Sequence, residues 1–171
     1  MGDLLSLPLQ SRTARPRFGL RRATPATDWY ECGVALEVTD PPAAFAAYER
    51  AIAGRPDFAD AHNNLGRLHH DQGRLAVAES HYRIALCLRD SIALYWFNLG
   101  VVVEDQARTA EAIDCYERAL AIEPQLADAH YNLARLYELT ARRAGDELLM
   151  RRAVRHLVDY RNLARTHASG R

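Results

Sequence analysis

Lysine is absent from this 171-residue chain: all 22 basic residues are arginine. Arginine can pair bidentately with carboxylate or phosphate where lysine cannot. An Arg- and Ala-rich composition is also what a GC-rich bacterial genome encodes, so composition alone assigns no anion-binding role. Cysteine is scarce as well. Cys32, Cys87 and Cys115 form no C-x-x-C and no even set, which excludes a disulfide framework and points to buried thiols in a reducing, cytoplasmic compartment. No apolar run approaches the length of a membrane span. Catalytic signatures are missing too: there is no G-x-S-x-G, no H-E-x-x-H, no phosphate-cradling glycine loop and no isolated carboxylate pair. No enzyme activity and no cofactor are expected.

The zero net charge conceals segregation. Residues 1–27 carry five Arg against Asp3, residues 28–138 carry eighteen acidic residues against nine Arg, and residues 139–171 carry eight Arg against three acids. An acidic body therefore bears two basic ends, and only those ends suit non-specific anion binding. Residues 1–25 contain Pro8, Pro16, Pro25 and scattered Arg without a sustained period, and are expected to form a disordered arm. Leu4, Leu5, Leu7 and Leu9 make a patch shorter than a secretory h-region.

What is present is a 34-residue echo. Asn64-Leu65-Gly66 returns as Asn98-Leu99-Gly100 and as Asn132-Leu133-Ala134, while Ala78, Tyr82 and Ala85 return as Ala112, Tyr116 and Ala119. Two periods apart the match tightens: Asp60-Ala61-His62 and Asp128-Ala129-His130 are identical. A period of this length indicates stacked helical repeats. The 3.6-residue pattern predicts a first helix capped by Asp28 and running to about Glu37, then helices over about 42–53, 60–72, 75–88, 92–106, 109–122, 127–140 and 146–165. Small residues at Gly66, Gly100, Ala78, Ala112, Ala85 and Ala119 let paired axes close, and Leu65, Leu99, Tyr82 and Tyr116 fill the contact. The last helix has an apolar stripe of Leu149, Ala153, Leu157, Tyr160 and Ala164 opposite a row of Arg, the pattern of a terminal cap.

Trp96, Leu99, Gly100, Ala112, Tyr116, Ala119 and Pro124 follow W-x2-L-G-x2-Y…A…aromatic…A…P, with Val103 in the Tyr slot. His62, Leu65, Gly66, His69, Ala78, Tyr82 and Ala85 repeat it, as do Trp29, Gly33, Leu36, Ala44, Tyr48, Ala51 and Pro56 one residue shorter. This resembles the tetratricopeptide repeat (TPR). The resemblance implies an all-α, right-handed α-solenoid of about four helix-turn-helix hairpins over 26–165 (repeats about 26–58, 59–92, 93–126 and 127–165), with a longer C-terminal capping helix and a disordered tail over 166–171. The fourth repeat departs, with Ala134 for Gly and Met150 in the aromatic slot. The stretches DWYECGVALE, NLGVVVED and DAHYNLARLYE also resemble repeat tails that follow helix-turn-helix domains in some proteobacterial regulators.

The resemblance further implies a concave groove lined by the first helices. Tyr30, Asn63, Phe97 and Tyr131 form one row, Val34, Arg67, Val101 and Arg135 another, and Glu37, His70, Glu104 and Glu138 a third. Asn64, Asn98 and Asn132 resemble the asparagine ladder of O-linked N-acetylglucosamine transferase repeats, which hold a peptide backbone. Physically, an amide offers donor and acceptor together, and an Arg three residues on shares its helix face. The candidate groove residues are therefore Tyr30, Asn63, Asn64, Arg67, Phe97, Asn98, Val101, Tyr131, Asn132 and Arg135. Val34 and Val101 stand at two Arg-type positions, so a full carboxylate clamp is not expected. His62 and His69 occupy large-residue consensus positions and are expected to pack, while His70 points elsewhere on the helix; with no metal-ligand spacing among them, no metal site is expected. The expected function is non-catalytic protein or peptide binding, with two alternatives: presenting substrate to a transferase, or contacting nucleic acid through the basic ends. Nucleic acid and membrane are not the expected partners, and oligomeric state is left open.

Overall fold

The structure, a computed structural model, describes residues 25–169. The arm expected over 1–25 lies outside them but for Pro25, as do Gly170 and Arg171. The described residues form eight helices: α1 (Ala26–Leu36), α2 (Pro41–Gly54), α3 (Ala59–Asp71), α4 (Leu75–Leu88), α5 (Ala93–Asp105), α6 (Thr109–Ile122), α7 (Ala127–Ala144) and α8 (Glu147–Ser169). No strand occurs among them. Consecutive helices pack as hairpins, and each hairpin packs on the next, which makes an all-α repeat solenoid.

Local chemistry sets the boundaries. The Asp40 carboxylate accepts from Ala43 N (3.1 Å) and Pro41 opens α2, where its missing N–H has no cost. The expectation for Asp28 is corrected. Pro25 occupies the N-cap and its carbonyl accepts from Asp28 N, so Asp28 sits in the first turn, where its charge faces the helix dipole. Gly73 and Gly145 turn with φ of 72° and 69°.

Within hairpins the small-residue argument holds atom by atom. A Cβ on Gly33, Gly66 or Gly100 would lie 2.6, 2.9 or 2.6 Å from the ring of Tyr48, Tyr82 or Tyr116. Those rings are almost completely buried. Each fully buried large side chain stabilises by roughly 1.5–3 kcal/mol. A continuous core runs from Ala59 through Leu99, Val102, Tyr116 and Leu133 to Ala153, and smaller clusters around Tyr48 and Phe58 serve the first repeat.

The fourth hairpin departs further than expected. α7 runs one turn past Thr140, burying Ala141, before Gly145 stops it. α8 runs to Ser169, past the expected end at Arg165. The added length shifts the register of α8. His156 takes the role of His81, and Ala153 is buried as Ala78 and Ala112 are. The position matching Tyr82 and Tyr116 is thus Leu157, not Met150 as a rigid 34-residue step predicts. Ala134 for Gly and Leu157 for Tyr leave a cavity of about 250 Å³, lined by Tyr131, Ala134, Arg135, Glu138, Met150, Ala153, Val154 and Leu157.

Candidate functional site

The candidate rows lie on α1, α3, α5 and α7, and they are cross-linked in a pattern that repeats every second hairpin. Tyr48 Oη donates to Glu37 Oε1 (2.5 Å), and Asn64 Nδ2 donates to Tyr48 Oη (3.1 Å). Arg67 then closes on the same Glu37 oxygen at 2.5 Å. Two repeats later Tyr116 Oη donates to Glu104 Oε2 (3.0 Å) and Arg135 pairs with Glu104, with the Asn132 amide beside Tyr116 acting against the burial that raises its pKa. Burial, more than any neighbour, raises the phenol pKa of both tyrosines, so they remain donors.

The intervening repeat breaks the relay because His70 replaces Glu and Val101 replaces Arg. His70 instead bonds Asp105 of the next hairpin (2.6 Å). Asn98 turns to Asn63, donating Nδ2 to Asn63 Oδ1 at 2.8 Å.

The ladder amides are therefore not equivalent. Asn64 is surrounded by Tyr30, Tyr48 and Asn63, with donors on the first two and its oxygen accepting from the third. Asn98 and Asn132 each have one such partner, which leaves hydrogen-bonding capacity on half-exposed amides. Asn63 is corrected: it is only 3 % exposed and braces Asn64 and Asn98 rather than facing open solvent. Tyr30 is half-buried against Phe58 (ring centroids 4.7 Å), Phe97 lies against Tyr116 (5.6 Å), and Val101 packs on the core. Tyr131 is exposed beside Tyr160 (5.3 Å) and opens onto the α7–α8 cavity together with Arg135. Sequence reasoning missed that cavity, because it assumed an unshifted α8.

Both groove arginines are committed to carboxylates, and Arg67 also reaches Asp71 (3.5 Å). With Glu31, Glu37, Asp71, Glu104, Asp105 and Glu138 along the same helices, this face is acidic overall. It is not a ready-made carboxylate clamp.

Histidines pair in two places. His62 Nε2 bonds Pro56 O (3.0 Å) while its Nδ1 faces His81 Nδ1 at 3.1 Å. His130 repeats this with Pro124 O (3.0 Å) and His156 Nδ1 (2.9 Å), and Asp159 lies alongside. His69 is buried between Phe45 and His81, as packing predicts. The thiols are all free, but only Cys115 is buried, which raises its pKa to about 11. Cys87 is exposed, contrary to expectation.

Helical hairpins, small-on-aromatic contacts and a 34-residue step define a helical-repeat protein. Residues 34–94 match the family described as tetratricopeptide repeat and residues 105–140 the one described as TPR repeat, together more than half the chain. The chain belongs to the tetratricopeptide repeat family. No curated protein sequence matches it. Among solved structures it is similar to a crystal structure of MamA (TM-score 0.73, 19 % identity, 84 % of this chain and 81 % of that one). It is also similar to the first TPR of Spaghetti (RPAP3) bound to the HSP90 peptide SRMEEVD (TM-score 0.66, 22 % identity, 70 % and 95 %). The Arabidopsis OM64 TPR domain is a third (TM-score 0.64, 22 % identity, 66 % and 94 %). At these identities the likeness is one of fold. Among the described residues no helix is long and apolar enough to cross a membrane.

Proposed function

We propose that this chain is a non-catalytic interaction module that holds an extended segment of a partner protein along α5 and α7. The observation that carries this is the pair of incompletely used amides, Asn98 on α5 and Asn132 on α7, with α7 also presenting Tyr131 and Arg135 at the apolar cavity. Amides suit a backbone whatever its side chains, and a cavity of this size seats one apolar side chain. The surrounding carboxylates favour a segment bearing Arg or Lys over an acidic one. A protein of the same fold holds the peptide SRMEEVD. Here the arginines that could grip such carboxylates already have partners, so a differently charged ligand follows.

The test is affinity capture with quantitative mass spectrometry. Asn98→Ala combined with Asn132→Ala, and separately Tyr131→Ala at the exposed rim of the cavity, should lose the partner while circular dichroism and melting stay near wild type. Arg118→Ala, on α6, should retain it. A partner that survives both groove changes refutes the assignment. Loss driven by salt and by deleting residues 1–25 would instead support nucleic-acid contact through the basic ends.

A further inference from the structure

The last hairpin carries three ligand atoms that no part of the groove uses. One ligand atom each from His130, His156 and Asp159 lies within 4.8 Å of the others, and His130 Nδ1 is 2.9 Å from His156 Nδ1 and 3.9 Å from an Asp159 oxygen. We propose that His130, His156 and Asp159 form a binding site for a divalent transition-metal ion of the Zn²⁺ class, clamping α7 to α8.

Four observations support it. First, the His130 tautomer is set. Its Nε2 bonds the Pro124 carbonyl (3.0 Å) and must carry the proton, so Nδ1 presents a lone pair. A ligating histidine held by a backbone carbonyl through its other nitrogen is the usual outer-shell arrangement.

Second, the spacing fits. The two Nδ1 atoms are 2.9 Å apart. Tetrahedral coordination with Zn–N bonds of about 2.0–2.1 Å needs roughly 3.3 Å between nitrogens, a separation that small side-chain rotations supply. His156 Nδ1–H now donates to His130. On binding, that proton moves to Nε2 of His156, both rings ligate as neutral imidazoles, and no proton is released.

Third, the charge and access fit. Asp159 lies one turn beyond His156 on α8, its oxygen 3.9 Å from His130 Nδ1, and its side chain is 44 % exposed. It supplies the anionic ligand and an entry path, while water completes four-coordination. His156 stacks on Tyr137 (centroids 5.8 Å, 22° between planes), which fixes the ring.

Fourth, the molecule contains its own control. His62 and His81 repeat the paired geometry on the Pro56 carbonyl, but the position matching Asp159 is Ile84. A histidine pair of this kind therefore serves packing by itself, and the carboxylate distinguishes the last hairpin. The Met150, Ala153, Val154 and Leu157 side of α8 lines the cavity, whereas His156 and Asp159 lie on a different side. The metal site thus stands or falls separately from the groove.

The experiment is Zn²⁺ titration of the full, tag-free chain by calorimetry and by competition with a chromophoric chelator, with Co²⁺ absorption reporting geometry. The expected result is one equivalent bound, tetrahedral Co²⁺ spectra, and a higher melting temperature with metal. Asp159→Asn, at a half-exposed position that tolerates exchange, should weaken binding by at least about tenfold, and His156→Asn should abolish it. His81→Gln, His70→Gln and His167→Gln should bind like wild type. No saturable Zn²⁺ binding overturns the proposal. So does wild-type affinity in Asp159→Asn and His156→Asn, or loss of binding only in one of the three controls.

Discussion

At the scale of single residues, the repeats differ where backbone and side-chain space are least forgiving. Gly100 lies under Tyr116, and an added Cβ would approach ring carbons to 2.6 and 2.8 Å. Tyr116 is fully buried and cannot retreat. Gly100→Ala should therefore lower stability by about 1–3 kcal/mol, read as a shift in urea midpoint with an unchanged slope. The reverse case is Ala107, which turns with φ of 61° where the preceding repeat has Gly73 at 72°. A non-glycine residue in this region costs roughly 1–2 kcal/mol, partly offset by the entropy glycine loses on folding. Ala107→Gly should stabilise the chain by about 0.5–1 kcal/mol in the same assay. The spacing of Gly66, Gly100, Tyr82 and Tyr116 made these contacts legible in the sequence. The division of labour among asparagines was not. Asn63 and Asn98 pair in the repeat where His70 and Val101 replace the Glu and Arg of the relay, and that pairing depends on neighbours brought together by stacking.

At the scale of elements, α4 and α6 fall where periodicity places them, with Gly73 turning into α4 and Pro124 following α6. α7 and α8 do not keep the 34-residue step. Gly145 was a legible stop signal, yet the apolar pattern through Ala141 carries α7 to it, and every α8 position then moves relative to α7. The cavity beside Ala134 and Leu157 is the packing consequence. Restoring the repeat there requires two changes, because a tyrosine ring and the Ala134 Cβ compete for one space, as at Gly100. Leu157→Tyr alone should be neutral or destabilising, whereas Ala134→Gly with Leu157→Tyr should gain about 1 kcal/mol from the filled cavity. The coupling is read by a double-mutant cycle of urea midpoints. The same double variant should bind the partner segment more weakly, since the side-chain seat is gone. A stabilised variant with intact binding would place the segment elsewhere.

At the scale of the whole molecule, each hairpin completes its core only against its neighbours, so a titration in one helix is felt as stability of the array. Burial between His62 and His69 lowers the His81 pKa to about 4. The unfolded chain takes up that proton near pH 6.5. Between those values the unfolded state binds more protons, so stability is full above about pH 6.5 and falls as pH drops toward 4. Glu79 governs a lower window. Burial pushes its pKa up, but hydrogen bonds from Arg108, Gln106 and Arg83 outweigh that and hold it at about 2. Its contribution is present above about pH 4.5 and is lost as pH falls toward 2. The two groups therefore separate on a pH axis. In urea melts across that range His81→Gln should flatten the slope between about pH 6.5 and 4, in part rather than wholly, because His69 is lowered in the same sense by burial and Arg74. Glu79→Gln should leave that upper slope in place and flatten the one below pH 4.5. If His81→Gln leaves the upper slope unchanged, His81 is not held as a neutral imidazole in the fold, and that slope belongs to His69 and to His156, whose pKa burial also lowers.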